Sequence, residues 1–330
     1  MPVTLIATVL NEGESIRALM ESIAAQTRPP DEVIICDGGS TDNTVAILNE
    51  YLSRLPLRVI DRPGAAISEG RNAAIRAAKH DLIAVTDAGV RLESGWLASL
   101  VAPLENNPAA NAVAGFFQSD PKTAFEVALG AATLPELREI NPVTFLPSSR
   151  SVAFRKSAWA AAGGYPAWLD FCEDLILDFR LKDLHGPFAF APDAIAHFRP
   201  RQTFGAFARQ YYHYARGDGK AGLFFKRHLI RYLAYFVALP LVSGAAALIS
   251  PAWLLALAAG GAIIVALPYR RLIRQWGDLS PGGKWAAALW VPIIRVGGDL
   301  AKMIGYPAGV AWRARHHPPD WRGGHVEGKA

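Results

Sequence analysis

Between Arg231 and Arg270 the chain carries no charged side chain. Ser250-Pro251 divides this run into residues 232–250 and 251–269, each about long enough to cross a hydrocarbon core of roughly 30 Å as a helix. A helix in the core of a soluble protein ordinarily keeps one polar stripe, and neither half has one. The pair therefore reads as a transmembrane hairpin turning at Ser250-Pro251, and the remaining chain must fold beside an element that prefers lipid. Composition agrees, since 51% of the 330 residues are hydrophobic, a high share for a purely soluble chain.

The net charge of +5 is concentrated next to the hairpin. Over residues 197–231, Arg199, Arg201, Arg209, Arg216, Lys220, Lys226, Arg227 and Arg231 stand against Asp218 alone. Arg270, Arg271 and Arg274 follow the hairpin, so both of its ends are expected on the cytoplasmic side, facing anionic head groups. Nucleic acid is not the expected partner, because no nucleic-acid-binding motif accompanies the charge. Residues 3–10 are apolar but lack a basic leader and stop at Asn11-Glu12, which suits a first strand better than a signal peptide. The only two cysteines, Cys36 and Cys172, suggest no disulfide framework. The catalytic part is therefore expected in the cytoplasm, held at the cytoplasmic membrane.

Upstream, strand-like and helix-like segments alternate. Residues 3–10, 32–37, 58–61 and 81–86 read as strands, with helical spacing at 14–26, 45–55, 68–79 and 94–104. Strands alternating with helices imply a mostly parallel sheet with right-handed crossovers, an α/β Rossmann-like fold. Two strands end in carboxylates, Asp37 and Asp87. Ligands of open α/β sheets bind beyond such strand ends, although Asp87 could equally cap the following helix. The Asp37-Gly38-Gly39-Ser40-Thr41 turn permits close backbone approach and opens a helix whose free N–H groups suit an anion. It is neither a P-loop nor the dinucleotide fingerprint.

The pieces Thr8-Val-Leu-Asn11-Glu12, Glu32-Val-Ile-Ile-Cys-Asp37-Gly-Gly-Ser-Thr-Asp42, Gly70-Arg71-Asn72-Ala73, the strand ending at Asp87, and Glu173-Asp174 stand in an order that resembles glycosyltransferase family 2, of GT-A fold, over roughly the first 220 residues. The resemblance implies an inverting transfer from a nucleotide-diphosphate sugar, UDP- or GDP-linked. It places Thr8, Asn11 and Glu12 at the base and ribose, Asp37 as acceptor from the base, Arg71 near the base or phosphates, and Asp87 near the ribose or metal. It makes Asp174 the base that deprotonates the acceptor, with Glu173 beside it as orienter or acceptor contact. Without the resemblance, two carboxylates at a helix start are ordinary capping partners.

One departure concerns the metal. The family usually carries a second acidic residue two positions after the Asp87 equivalent, where this chain has Gly89. Mg²⁺ or Mn²⁺ is still expected, since Asp87 together with the diphosphate can supply oxygen ligands. His197 matches a position where some relatives place a metal-contacting histidine. Residues 116–147, interrupted by Pro121, Pro135, Pro142 and Pro147, are the least readable, with a strand returning over residues 148–154. Arg150 is a candidate phosphate contact. Arg209 and Arg216 could meet a leaving diphosphate or a lipid phosphate, or simply form a basic face on the membrane. No Gln-x-x-Arg-Trp box follows, so processive synthesis is not indicated.

The expected organisation is a GT-A catalytic domain at 1–220, a membrane region at 221–315 and a loose tail at 316–330. Within the membrane region, residues 285–312 carry Arg295, Asp299 and Lys302 on one side, which favours an interfacial helix over a third span. The expected function is transfer of a sugar to a membrane-associated acceptor, a polyprenyl-phosphate or a lipid-linked or cell-envelope saccharide. The alternative is a catalytically silent nucleotide-sugar-binding membrane module acting as an assembly partner, which Gly89 favours and Glu173-Asp174 disfavours.

Overall fold

Aliphatic runs buried on both faces form the central strands, as in a sheet covered by helices on each side. In the computed structural model, residues 1–322 are described, the side chain of Asp278 excepted, and the chain divides into two units. The first comprises Met1–Asp120, Leu137–Phe198 and the described residues from Asp320. Its elements are β1 (Val3–Val9), α1 (Ile16–Ala24), β2 (Glu32–Asp37), α2 (Thr44–Asn49), β3 (Leu57–Asp61), α3 (Ile67–Ala77), β4 (Leu82–Val85), β5 (Val90–Leu92), α4 (Trp96–Asn106) and β6 (Ala112–Ser119). After α5 (Ala124–Thr133), which belongs to the second unit, it resumes with β7 (Val152–Arg155), α6 (Lys156–Ala161), α7 (Glu173–His185) and β8 (Ala189–Phe198).

The strands form one sheet in the order β3-β2-β1-β4-β7-β6-β8-β5. The four expected strands are parallel, so β1, β2 and β4 point their carboxyl ends the same way. The returning strand β7 runs antiparallel to β4 and β6, and β5 pairs antiparallel with β8. Helices α1, α2 and α4 cover one face and α3, α6 and α7 the other, each over its own apolar core. Strand β6 was not anticipated. Its Gly115 leaves room for Ser151, whose Oγ would lie 2.0 Å from a Cβ there. Ser151 Oγ in turn accepts from Trp96 Nε1 at 2.8 Å and donates to the Ala194 carbonyl at 2.8 Å, tying helix and sheet together through one buried hydroxyl.

Pro121–Glu136 and Arg199–Pro319 make the second unit. It contains α5, α8 (Phe204–Ala221), α9 (Phe225–Leu233), α10 (Leu239–Leu248), α11 (Trp253–Arg274) and α12 (Pro281–His316). A π turn at Ala234–Ala238 makes 225–248 one continuous helical segment, and the chain reverses at Ser250-Pro251 as expected. Two segments, Phe225–Leu248 and Trp253–Arg274, are long and apolar enough to cross a membrane, and almost none of either is buried.

Helix α12 exceeds the anticipated 285–312. Glycines set its crossing with α8: a Cβ on Gly305 would lie 2.2 Å from the Tyr212 carbonyl oxygen, and one on Gly309 2.1 Å from that of Arg216. Gly305-x-x-x-Gly309 is thus a close-approach pair of the kind that lets helix backbones touch. The charged side of α12 faces inward. Asp299 accepts from Arg231 Nε at 2.7 Å and Tyr235 Oη at 3.3 Å, while the Lys302 ammonium lies 4.7 Å from the Tyr211 ring centroid. Trp285, Leu289, Ile293, Val296, Leu300 and Ile304 form an exposed apolar stripe. Within the segment expected to be loose, Trp321 is buried and stacks on Phe179 at 5.6 Å; residues 323–330 lie outside the described residues.

Candidate active site

Beyond β1, Asn11 adopts φ 52°, a left-handed conformation that Asn tolerates better than most residues. Its N–H donates to Ser40 Oγ at 2.9 Å and its Oδ1 accepts from the Thr41 N–H at 2.8 Å. Glu12 follows, its N–H donating to Thr44 Oγ1 at 2.9 Å. At the end of β2 the buried Asp37 accepts from the N–H groups of Gly39 and Ser40, at 3.2 and 2.9 Å, and from Ser40 Oγ. Asn11 and Asp37 therefore hold the glycine turn from both sides. Gly39 is needed there, since its φ is 97° and a Cβ would meet Pro63 at 3.0 Å. Thr8 lies beneath α3, where a Cβ on Gly70 would come within 2.9 Å of its methyl group.

That close approach at Gly70 carries the next residue, Arg71, into the interior. Arg71 is only 2% exposed and donates to Asp87 Oδ1 at 2.7 Å and to Glu173 Oε1 at 2.6 Å. Its guanidinium carbon is 5.2 Å from the centroid of Tyr165. Asn72 clamps the Tyr165 backbone in both directions, donating to its carbonyl at 2.7 Å and accepting from its N–H at 2.9 Å. Arg150 approaches Asp87 from the other side, with Nε 3.9 Å from Oδ2 and its guanidinium 4.4 Å over the Phe198 ring. Thus Arg71, Asp87, Arg150 and Glu173 are brought together, with Asp174 next to Glu173 on the first turn of α7.

Cys172 enters α7 at φ 66°, a strained conformation for a non-glycine residue, and turns the two carboxylates sharply into the helix start. Burial opposes the charge on Arg71, but Asp87 and Glu173 outweigh it and its pKa is raised. One guanidinium does not neutralise all the acids around it. Burial, then Asp174, push Glu173 up to about 7 against the pull of Arg71. Asp174 is partly exposed, yet burial raises it too. Asp178, one turn further on α7, is 4% exposed with an Oδ2 that has no hydrogen-bond partner among the described residues, and burial raises it well above the usual range. Sequence reading missed Asp178 and Tyr165. The spacing Asp174-x-x-x-Asp178 within an apolar helix was the available signal. The buried face of α7 is Glu173, Ile176, Leu177, Asp178 and Leu181, whereas Leu175 and Phe179 are only partly buried.

His197 pairs with Glu93 at 2.9 Å across the β5–β8 ladder, so its imidazole already has a carboxylate partner other than a metal site. Arg209, exposed, and Arg216, partly buried, both lie on α8 in the second unit. Among the described residues no three His, Cys, Asp or Glu side chains gather as metal ligands. A divalent ion fits this donor set only as Asp87 plus oxygens brought by a substrate, a sharing normal for Mg²⁺.

The mostly parallel sheet covered by helices on both faces is the GT-A fold of glycosyltransferases. Residues 4–159 match the family described as Glycosyl transferase family 2, and this domain belongs to it. The mannosyltransferase PcManGT from Pyrobaculum calidifontis, solved with GDP-Man and Mn²⁺, shares the fold with a TM-score of 0.62 at 20% identity, over 91% of this chain and 86% of that one. The poly-β-1,6-N-acetyl-D-glucosamine synthase of Staphylococcus epidermidis is 22% identical over 65% of this chain and 54% of its own length. The O-antigen chain rhamnosyltransferase RfbN of Salmonella typhimurium is 24% identical over 62% of this chain and 69% of its own. The chain spans a quarter to about half the length of the first curated relatives it matches.

Proposed function

We propose that the chain is an inverting glycosyltransferase that moves a sugar from a UDP- or GDP-linked donor to a membrane-associated acceptor, a polyprenyl-phosphate or a lipid-linked or cell-envelope saccharide. The bidentate bridge from Arg71 to Asp87 and Glu173 carries this reading, because it joins the donor edge of the sheet to the carboxylates of α7. In this reading Thr8, Asn11, Glu12 and Asp37 flank the base and ribose, Asp87 with Arg150 faces the diphosphate, and Asp174 removes the acceptor proton opposite the leaving group. Glu173, bound to Arg71, orients the pair. A divalent ion would be held by Asp87 and the diphosphate, where it would neutralise the leaving group. The names of relatives, bound to GDP-Man with Mn²⁺ or concerned with surface polysaccharides, support the donor and acceptor classes.

Exposed leucines and isoleucines along Phe225–Leu248 and Trp253–Arg274, with the basic residues at both ends, support a hairpin in the cytoplasmic membrane with the catalytic domain facing the cytoplasm. The inward polar and outward apolar sides of α12 support an interfacial helix, the reverse of a helix facing water. Calorimetric titration of the detergent-purified chain with UDP, GDP and their sugar conjugates, with and without Mn²⁺, tests the donor. Saturable binding to one nucleotide with turnover lost in Asp174→Asn is the expected result. Binding without any turnover, unaffected by Asp174→Asn, would favour the silent module, and no binding by folded protein would overturn the transferase reading.

A further inference from the structure

At the end of α8, the start of α9 and the last turns of α12, the second unit encloses a groove of about 650 Å³ that no step of the proposed reaction uses. Its walls are Phe225, Tyr306, Pro307, Val310 and Ala314, and among the described residues Arg313 is the one charged side chain in its lining. The Arg313 guanidinium is fixed, donating to the Lys220 carbonyl at 3.1 Å. Exposed Lys226 and Arg227 add positive charge at the first turn of α9. Among the described residues no acidic side chain lines it. A cavity with apolar walls and a fixed cation has the polarity of an anionic amphiphile.

The groove also opens where lipid is expected. Phe225 is both one of its walls and the first residue of the candidate span, and is 61% exposed. Leu229 and Leu233 continue that apolar surface along α9 into the hairpin, and Val310 is exposed on α12. We propose that this groove binds one anionic phospholipid of the surrounding bilayer, with an acyl chain against Phe225, Pro307 and Val310 and its phosphate on Arg313. The lipid would stay with the chain as a fixed component. It would not be the acceptor, which must leave once it carries the sugar, whereas this lipid stays. This inference rests on the membrane reading above.

Native mass spectrometry of the full chain, released from nanodiscs of phosphatidylglycerol or phosphatidylcholine, tests it. The chain is expected to retain phosphatidylglycerol in preference to phosphatidylcholine. Ala311→Trp, which fills the groove, should abolish retention, and Arg313→Gln should lower the preference at least several-fold. Arg315→Gln removes the same charge outside the lining and should leave it unchanged, with melting curves confirming that each variant folds. Equal retention by all variants would overturn the proposal, as would displacement of the bound lipid by stoichiometric short-chain prenyl phosphate, which would make the groove an acceptor site. Flotation with the same lipids as vesicles separates the two readings: a chain that floats but shows no groove-dependent retention refutes only the groove, whereas one that stays folded in solution and never floats refutes the membrane reading.

Discussion

Arg71 donates to Glu173 at 2.6 Å although 102 positions separate the two in the chain. The same guanidinium holds Asp87, so its removal strands the buried Glu173 and leaves Asp87 with Arg150 alone. Breaking a buried ion pair from one side costs about 3–5 kcal/mol, and Arg71→Met is expected to lower the melting temperature by roughly 10 °C. Arg71→Lys keeps the charge but not the fork, and should lose activity with less loss of stability. Thermal melts beside steady-state kinetics check both; a fully active Arg71→Met would remove the bridge from the mechanism.

A base must be ionised to accept a proton. With Glu173 held at about 7 and Asp174 also raised, kcat/KM should climb as pH rises through about 7, with an apparent pKa belonging to the carboxylate pair. Asp174→Asn should cost about 10²–10⁴-fold at every pH, while Glu173→Gln should shift the rising limb to lower pH by removing the like charge. A flat profile between pH 5 and 8 would contradict the assignment for a hydroxyl acceptor.

Asp178 is protonated in the folded chain at pH values where the unfolded chain has already ionised it. The native state then binds more protons, so this group makes stability fall as pH rises above its unfolded pKa, until the folded pKa is passed. Asp178→Asn removes the titration and keeps the shape. It should raise the melting temperature at pH 8 and change it little at pH 4, a difference that paired melts would reveal or exclude.

Gly89 faces open space, so an aspartate side chain fits there without repacking. Gly89→Asp adds a hard oxygen ligand beside Asp87 and is expected to lower the Mn²⁺ concentration for half-maximal activity by about tenfold. Unchanged metal dependence would mean that the ion, if used, sits elsewhere.

At the α8–α12 crossing, Gly309→Leu would drive a side chain into the Arg216 carbonyl. Overpacking of this kind costs typically about 1–3 kcal/mol, and here backbone must move as well. A lowered melting point in detergent is expected, while Gly261→Leu on α11, where nothing lies within 4 Å, should be neutral.

The hairpin, the parallel strands and the turn at Ser250-Pro251 were legible from the order of residues, because helix and strand periods and charge-free length are properties of near neighbours in the chain. Asp37 and Asp87 could be singled out for the same reason, as carboxylates at the ends of such runs, whereas Glu173 and Asp174 stood out only through the family resemblance. Strand β6 escaped because Gly115 and the adjacent phenylalanines break its alternation, and its pairing depends on Ser151 and Ala194. Tertiary structure alone decided that Arg71 lies between Asp87 and Glu173, that His197 pairs with Glu93, that Asp178 buries an Oδ2 with no hydrogen-bond partner among the described residues, and that α12 turns its charges toward α8 and α9. Each of these is a contact between residues far apart in the chain. Their meeting is set by how the whole sheet and bundle close, and no local pattern carries that distance.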